Sequence, residues 1–132
     1  MNTTVKESSS PIILSTGIYD LLKEQLRKRK LSKYNEAKLT LELRSAIQVL
    51  KKELPEDVVT VDRSVTVKEL ATGEEFTYNL VAPAKAKRKN NTLSILSPIG
   101  VAMLGYIKGA EVRWEMPEGL KDFRIEEVSK LC

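Results

Sequence analysis

The residues of this chain best placed to do chemistry are two dense clusters of cations, and the chemistry they suit is anion binding. Arg27, Lys28, Arg29, Lys30 and Lys33 occupy five of seven consecutive positions, and Lys85, Lys87, Arg88 and Lys89 fall within five. Such runs attract phosphate or an acidic protein surface, and a solvated basic face is the competing reading. No nucleophile with a matching base accompanies either cluster. The chain contains no histidine, which removes the commonest general base and the commonest zinc ligand. Cys132 is the single cysteine. An intrachain disulfide is therefore excluded, and a free terminal thiol in a cytoplasmic protein is expected. The composition argues against an enzyme: no catalytic residue, no metal and no cofactor are expected.

The basic excess is confined to one part of the chain. Residues 1–53 carry 11 Lys and Arg against 6 Asp and Glu, whereas residues 54–132 carry 11 against 12, within an overall charge of +4. The 132 residues, 42% hydrophobic and 30% charged, suit one modest soluble domain with an appendage. No apolar run approaches the roughly 18 residues that a membrane span needs, so no membrane association is expected. The polar, serine-rich start has no period and no signal-peptide pattern; residues 1–14 are expected to be disordered.

The clusters must be carried by the elements around them. Leu14, Ile18, Leu21, Leu22 and Leu26 recur at spacings of three and four, which predicts a helix from about residue 15, capped by Ser15 or Thr16. Leu39, Leu43, Ala46, Ile47 and Leu50 repeat the pattern and predict a second helix over residues 34–53, stopped by Pro55. The link between them is short, so an antiparallel helical hairpin over 15–54 follows, with the first basic cluster at its tip. From residue 58 the period changes to two. Val65 and Val67, then Phe76, Tyr78 and Leu80, flank the turn residues Ala71-Thr72-Gly73-Glu74 and predict a β-hairpin. Residues 83–91 read as a basic loop. A strand over 92–96 leads into Ser97-Pro98, a helix cap followed by a proline at the first helical position. The helix over 98–104 ends at Gly105, a residue suited to the left-handed conformation. Strands over 111–115 and 123–128 flank the turn Met116-Pro117-Glu118-Gly119. The fold class is α+β: a helical hairpin, then a unit (55–132) made of an antiparallel sheet with one short helix.

The string Ser97-Pro98-Ile99-Gly100-Val101-Ala102-Met103-Leu104-Gly105 with Lys108-Gly109 resembles the C-terminal domain of the Gre transcription cleavage factors, GreA and GreB. Ala71-Thr72-Gly73-Glu74-Glu75, Thr77-Tyr78 and Leu80-Val81-Ala82-Pro83 carry the same resemblance, and Val112, Trp114, Pro117 and Ile125 continue it. Ala110 departs from it, since the family favours an acidic residue there. The short hairpin is most similar to the Rnk-like relatives, whose coiled coil is truncated. The resemblance implies an FKBP-like C-terminal domain that docks on the rim of the RNA polymerase secondary channel, with Ser97, Pro98, Ile99 and Gly100 as candidate contacts.

In Gre factors, acidic residues at the coil tip help to hold a catalytic magnesium, in a string that reads roughly D-L-S-E-N-A-E. The matching string here is Lys30-Leu31-Ser32-Lys33-Tyr34-Asn35-Glu36. Lysine offers no oxygen ligand and repels a divalent cation, and Glu36 alone is a poor site. Transcript-cleavage stimulation is therefore not expected. The tip residues Arg29, Lys30, Ser32, Lys33 and Glu36 are left to contact polymerase or nucleic acid. A module binding nucleic acid directly, through the hairpin tip from Arg27 and Lys28 to Lys33 and the 85–89 loop, is the alternative. Trp114 and Phe123 are read as core or half-exposed strand residues rather than as a prolyl-isomerase pocket, and no small-molecule substrate is expected.

Overall fold

The computed structural model describes residues 11–87 and 92–131, and the chain divides into two compact units between Leu54 and Pro55.

In the first unit a short strand β1 (Ile13–Ser15) leads into helix α1 (Thr16–Arg27), and helix α2 (Lys33–Ser45) leads into strand β2 (Ile47–Val49). Both helices begin at serine caps. The Ser15 hydroxyl accepts the Ile18 amide at 3.4 Å, and the Ser32 hydroxyl accepts the Asn35 amide at 3.2 Å. Each thereby satisfies a donor that the first turn leaves without an intrahelical partner. Ile18 and Leu22 of α1 and Leu39 and Leu43 of α2 are buried, together with Ile12 and Leu14.

Two expectations are corrected here. The second helix stops at Ser45 rather than running to residue 53. Ala46 turns extended, and Ile47–Val49 pairs in parallel with Ile13–Ser15. The apolar stripe would have continued through Ile47 and Leu50, but these are 47% and 58% exposed, so no helix face is buried there. Ile47 and Val49 are β-branched and favour a strand, and the Ile47 amide donates to the Ile12 carbonyl at 2.9 Å. By the same pairing Ile13 and Leu14, expected within a disordered terminus, lie in a strand. Residues 1–10 lie outside the described residues.

Polar side chains share the buried face of α2. Lys38 Nζ lies 2.8 Å from Glu42 Oε2, with the two side chains only 8% and 10% exposed. Burial pushes the Glu42 carboxyl above its usual range, and the Lys38 charge offsets only part of that rise.

The second unit is a five-stranded sheet ordered β5-β4-β3-β7-β6, with β3 (Arg63–Glu69), β4 (Glu75–Val81), β5 (Thr92–Ser94), β6 (Glu111–Met116) and β7 (Gly119–Lys130). Pairing is antiparallel except between β4 and β5, which run parallel, so the sheet is mixed rather than wholly antiparallel. No periodicity in the sequence encodes the parallel direction of β5. Strand β7 spans twelve residues and pairs with both β3 and β6; its register shifts opposite Thr66 and Val67, where a bulge bends it.

Val65, Val67, Leu80, Val112, Trp114, Phe123 and Ile125 form the inner face of the sheet, and all are buried. Trp114 and Phe123 are thus core residues. Helix α3 (Pro98–Met103) adds Ile99, Val101, Ala102 and Met103 to the same core. The entry to the sheet is fastened by a buried cation. Arg63 Nη1 lies 2.9, 3.0 and 2.8 Å from the carbonyls of Pro55, Glu56 and Val58, which satisfies the approach segment and the guanidinium together.

A carboxyl whose folded pKa lies above its unfolded value holds its proton more tightly in the native state. Native stability then falls as pH rises from the unfolded value toward the folded one. Glu42→Gln removes that loss. The stability of Glu42→Gln relative to the parent should therefore climb as pH rises from 4.5, the ordinary carboxyl value. Urea unfolding at acidic and neutral pH measures the difference, and a difference flat with pH contradicts the assignment.

Candidate functional site

The segment from Ser94 to Tyr106 is a hydrogen-bonded turn and helix that follows from β5. The Leu96 amide donates to the Ser94 hydroxyl at 3.0 Å, and the Ser97 amide to the Ser94 carbonyl at 3.0 Å. The Ser97 hydroxyl accepts the Gly100 amide at 3.2 Å, and Pro98 opens the helix, where an amide would lack a partner anyway. Gly100 is the point of closest approach. A Cβ there would sit 2.8 Å from the carbonyl oxygens of both Ser94 and Ile95. At the other end Gly105 takes φ 90° and donates to the Val59 carbonyl at 2.9 Å.

Of the four candidate contacts read from the sequence, only two reach the surface. Pro98 is exposed and Ser97 partly so, while Ile99 and Gly100 are buried. Ile99 and Gly100 are corrected to packing residues, because the helix needs one apolar and one glycine position to seat on the sheet. A surface feature that the sequence reading missed lies on β4. Phe76 and Tyr78 stack with ring centroids 6.4 Å apart and stay half-exposed, although they share a face with Val67 and Val65. Beside them Lys121 Nζ lies 3.7 Å from Glu69 Oε2. Burial, and then the Glu69 charge, raises the Tyr78 hydroxyl pKa. The alternation of Phe76, Tyr78 and Leu80 was the available signal, but it does not tell which of the three is covered.

The tip of the helical hairpin is exposed and cationic. Lys28, Arg29, Lys30 and Lys33 are all exposed. Arg27 is held by a two-pronged ion pair with Glu24, whose carboxyl it holds below the usual range. Arg29 adopts φ 53°, a conformation that favours glycine and costs a larger residue about 1 kcal/mol. Ser32 is occupied as the α2 cap. Glu36 lies in the first turn of α2, where its charge suits the helix dipole. Among the described residues no three acidic, cysteine or histidine side chains gather as a metal site. Lys85 and Lys87 are exposed on the second unit, and Arg88 and Lys89 lie outside the described residues. Among the described residues no helix is long and apolar enough to cross a membrane.

Comparison with known proteins decides what this arrangement belongs to. Residues 54–130 match the family model described as Transcription elongation factor, GreA/GreB, C-term. The chain belongs to the GreA/GreB transcription elongation factor family. It is 39% identical over 82 residues to the Regulator of nucleoside diphosphate kinase of Escherichia coli K12, a match covering 62% of this chain and 60% of that protein. Against Transcription elongation factor GreA of Clostridium beijerinckii it is 32% identical over 137 residues, covering 95% of this chain and 81% of that one. A GreA/GreB factor from Nitrosomonas europaea superposes with a TM-score of 0.63 at 33% identity, over 92% of this chain and 99% of that one. Gfh1 of Thermus aquaticus shares the fold, with a TM-score of 0.51 at 22% identity. The family match covers the sheet unit; the Nitrosomonas GreA/GreB structure extends the likeness to the helical hairpin.

The GreA/GreB string around Ser97 should behave as a packing device. Gly100→Ala should destabilise the chain by about 2–3 kcal/mol, because both facing atoms are backbone. Ser97→Ala should cost only about 1 kcal/mol, the worth of a cap. Chemical denaturation gives both numbers, and a Gly100→Ala loss no larger than that of Ser97→Ala contradicts the close-packing account.

Proposed function

We propose that this chain is a non-catalytic regulator that binds RNA polymerase at the rim of the secondary channel through its C-terminal unit. The observation that carries the reading is the family match over residues 54–130, on a unit whose capped turn holds Pro98 at the surface. The half-exposed Phe76 and Tyr78 offer the same unit an aromatic contact surface of the kind that anchors interfaces. Such a regulator acts in the cytoplasm, where its polymerase is, and needs no cofactor.

The hairpin favours occupancy over chemistry. Helix α1 has twelve residues, about 18 Å of helix, which makes a short probe. Where the family carries acidic ligands, this tip presents Lys30 and Lys33, both exposed. Neither supplies oxygen to magnesium, and both repel it.

Co-purification with core RNA polymerase tests the docking. The unmodified chain should be retained, and Pro98→Glu should bind about tenfold more weakly. Glutamate is favourable at a helix start, so that variant keeps its fold. Failure of the unmodified chain to bind overturns the function, whereas equal binding of Pro98→Glu overturns only the contact assignment.

Elongation complexes stalled in the backtracked state test the chemistry. Addition of the protein should leave the transcript intact, and release of short 3′ fragments overturns the non-catalytic reading.

A further inference from the structure

The inner face of the sheet unit is not covered throughout. Val65 and Val67 are fully buried, yet their cross-strand partners on β4, Tyr78 and Phe76, stay half-exposed, with ring centroids 6.4 Å apart. Half-exposed aromatics on the core face of a sheet form an apolar patch of the kind that marks a contact surface.

A carboxylate borders this patch. Glu69 ends β3 on the same face, and its side chain is only 12% exposed. The turn between β3 and β4 fixes its backbone: the Glu69 amide donates to the Glu74 carbonyl at 2.8 Å, and the Glu69 carbonyl accepts the Gly73 amide at 2.8 Å. The Glu69 charge reaches the Tyr78 hydroxyl, so acid and ring lie close together. Lys121 compensates that charge loosely. Its Nζ lies 3.7 Å from Glu69 and 3.8 Å from Glu118, both longer than a hydrogen bond. One ammonium is shared between two carboxylates, and the three charges sum to one negative. A carboxylate as covered as that of Glu69 usually gathers closer donors.

The chemistry that suits such a surface is a cation with a flat face. A guanidinium offers two parallel N–H donors to one carboxylate and a plane that stacks on an aromatic ring. The ring face also attracts the charge in its own right. An ammonium is a strongly hydrated point charge and uses the rings less well.

We propose that Glu69, Phe76 and Tyr78 form a receptor for an arginine side chain on a partner protein, with the guanidinium paired to Glu69 and stacked on the exposed ring faces. Lys121 is the internal cation that the incoming arginine displaces toward Glu118. The proposal rests on the docking reading only for the identity of the partner, and its test contains no polymerase.

The full chain, labelled with carbon-13 in its aromatic rings, is titrated with the capped tripeptide Gly-Arg-Gly and followed by NMR. Saturable shifts should centre on the Phe76 and Tyr78 rings, with a dissociation constant of about 1–10 mM. Gly-Lys-Gly should bind about threefold more weakly. Glu69→Gln keeps the shape of the site and should weaken binding about threefold. Lys121→Met keeps the stem but removes the competing cation, so it should tighten binding about threefold, an effect that a purely structural lysine would not give. No saturable shift at the two rings overturns the proposal, as does a Lys121→Met chain that binds no more tightly than the parent. Equal binding of Gly-Lys-Gly overturns the choice of arginine. Equal binding of Gly-Leu-Gly, or unchanged binding in Glu69→Gln, overturns the part given to the carboxylate.

Discussion

The sheet unit depends on the absence of one side chain. At Gly100 the first turn of α3 lies against the carbonyls of Ser94 and Ile95 at a distance that no Cβ could share. That contact lets a helix of only six residues pack on the β6 side of a five-stranded sheet. Six residues are far too few to hold a helix in isolation. α3 persists because its ends are fixed from outside, by the Ser97 cap at one end and by Gly105 bonded to Val59 at the other. Ile99, Val101, Ala102 and Met103 then join the core beside β6, which carries the buried Val112 and Trp114. Move the helix outward by the width of a methyl group and those contacts weaken together, because close-packed interiors have no slack to redistribute.

The first unit solves the same problem differently. Its helices of twelve and thirteen residues are also marginal alone. Here the open end of the hairpin is closed by backbone pairing, since β1 enters α1 and β2 leaves α2, and the two strands bond side by side. The buried Lys38–Glu42 pair is a weaker device. Two charges removed from water recover little net energy even at 2.8 Å, and the raised Glu42 pKa reports that the desolvation is incompletely offset. What such a pair contributes is direction, because either partner alone would be left as an unpaired buried charge.

These two solutions explain which parts were legible in the sequence. Signals that act within one turn of chain were readable: the caps Ser15 and Ser97, the Gly73 turn with φ 77°, and the alternation that buries Val65 and Val67. Features set by a distant partner were not. Ile47 and Leu50 continue a helical stripe perfectly well, and only the pairing of Ile47 with Ile13 makes a strand of that segment. The parallel direction of β5 is set by its pairing with β4, and local alternation is the same for either direction. The candidate site divides the same way. The string beginning at Ser97 was recognisable, but two of its first four residues face inward, so it marks how the helix is seated more than what it touches.

That division explains how a family fold keeps its scaffold while its chemistry changes. Residues that seat α3 each have several neighbours to satisfy, so a substitution there disturbs helix and sheet at once. The hairpin tip is the opposite case. Lys28, Arg29, Lys30 and Lys33 are exposed, and among tip residues only Ser32 is held by its role as a cap. An acidic tip and a basic tip can therefore stand on the same pair of helices at nearly equal folding cost, with the difference carried by the Arg29 backbone and the dipole at Lys33. The electrostatic consequence is far larger than the structural one. Exchanging two carboxylates for two ammonium groups alters the local charge by four units, enough to turn a surface that attracts cations into one that attracts anions.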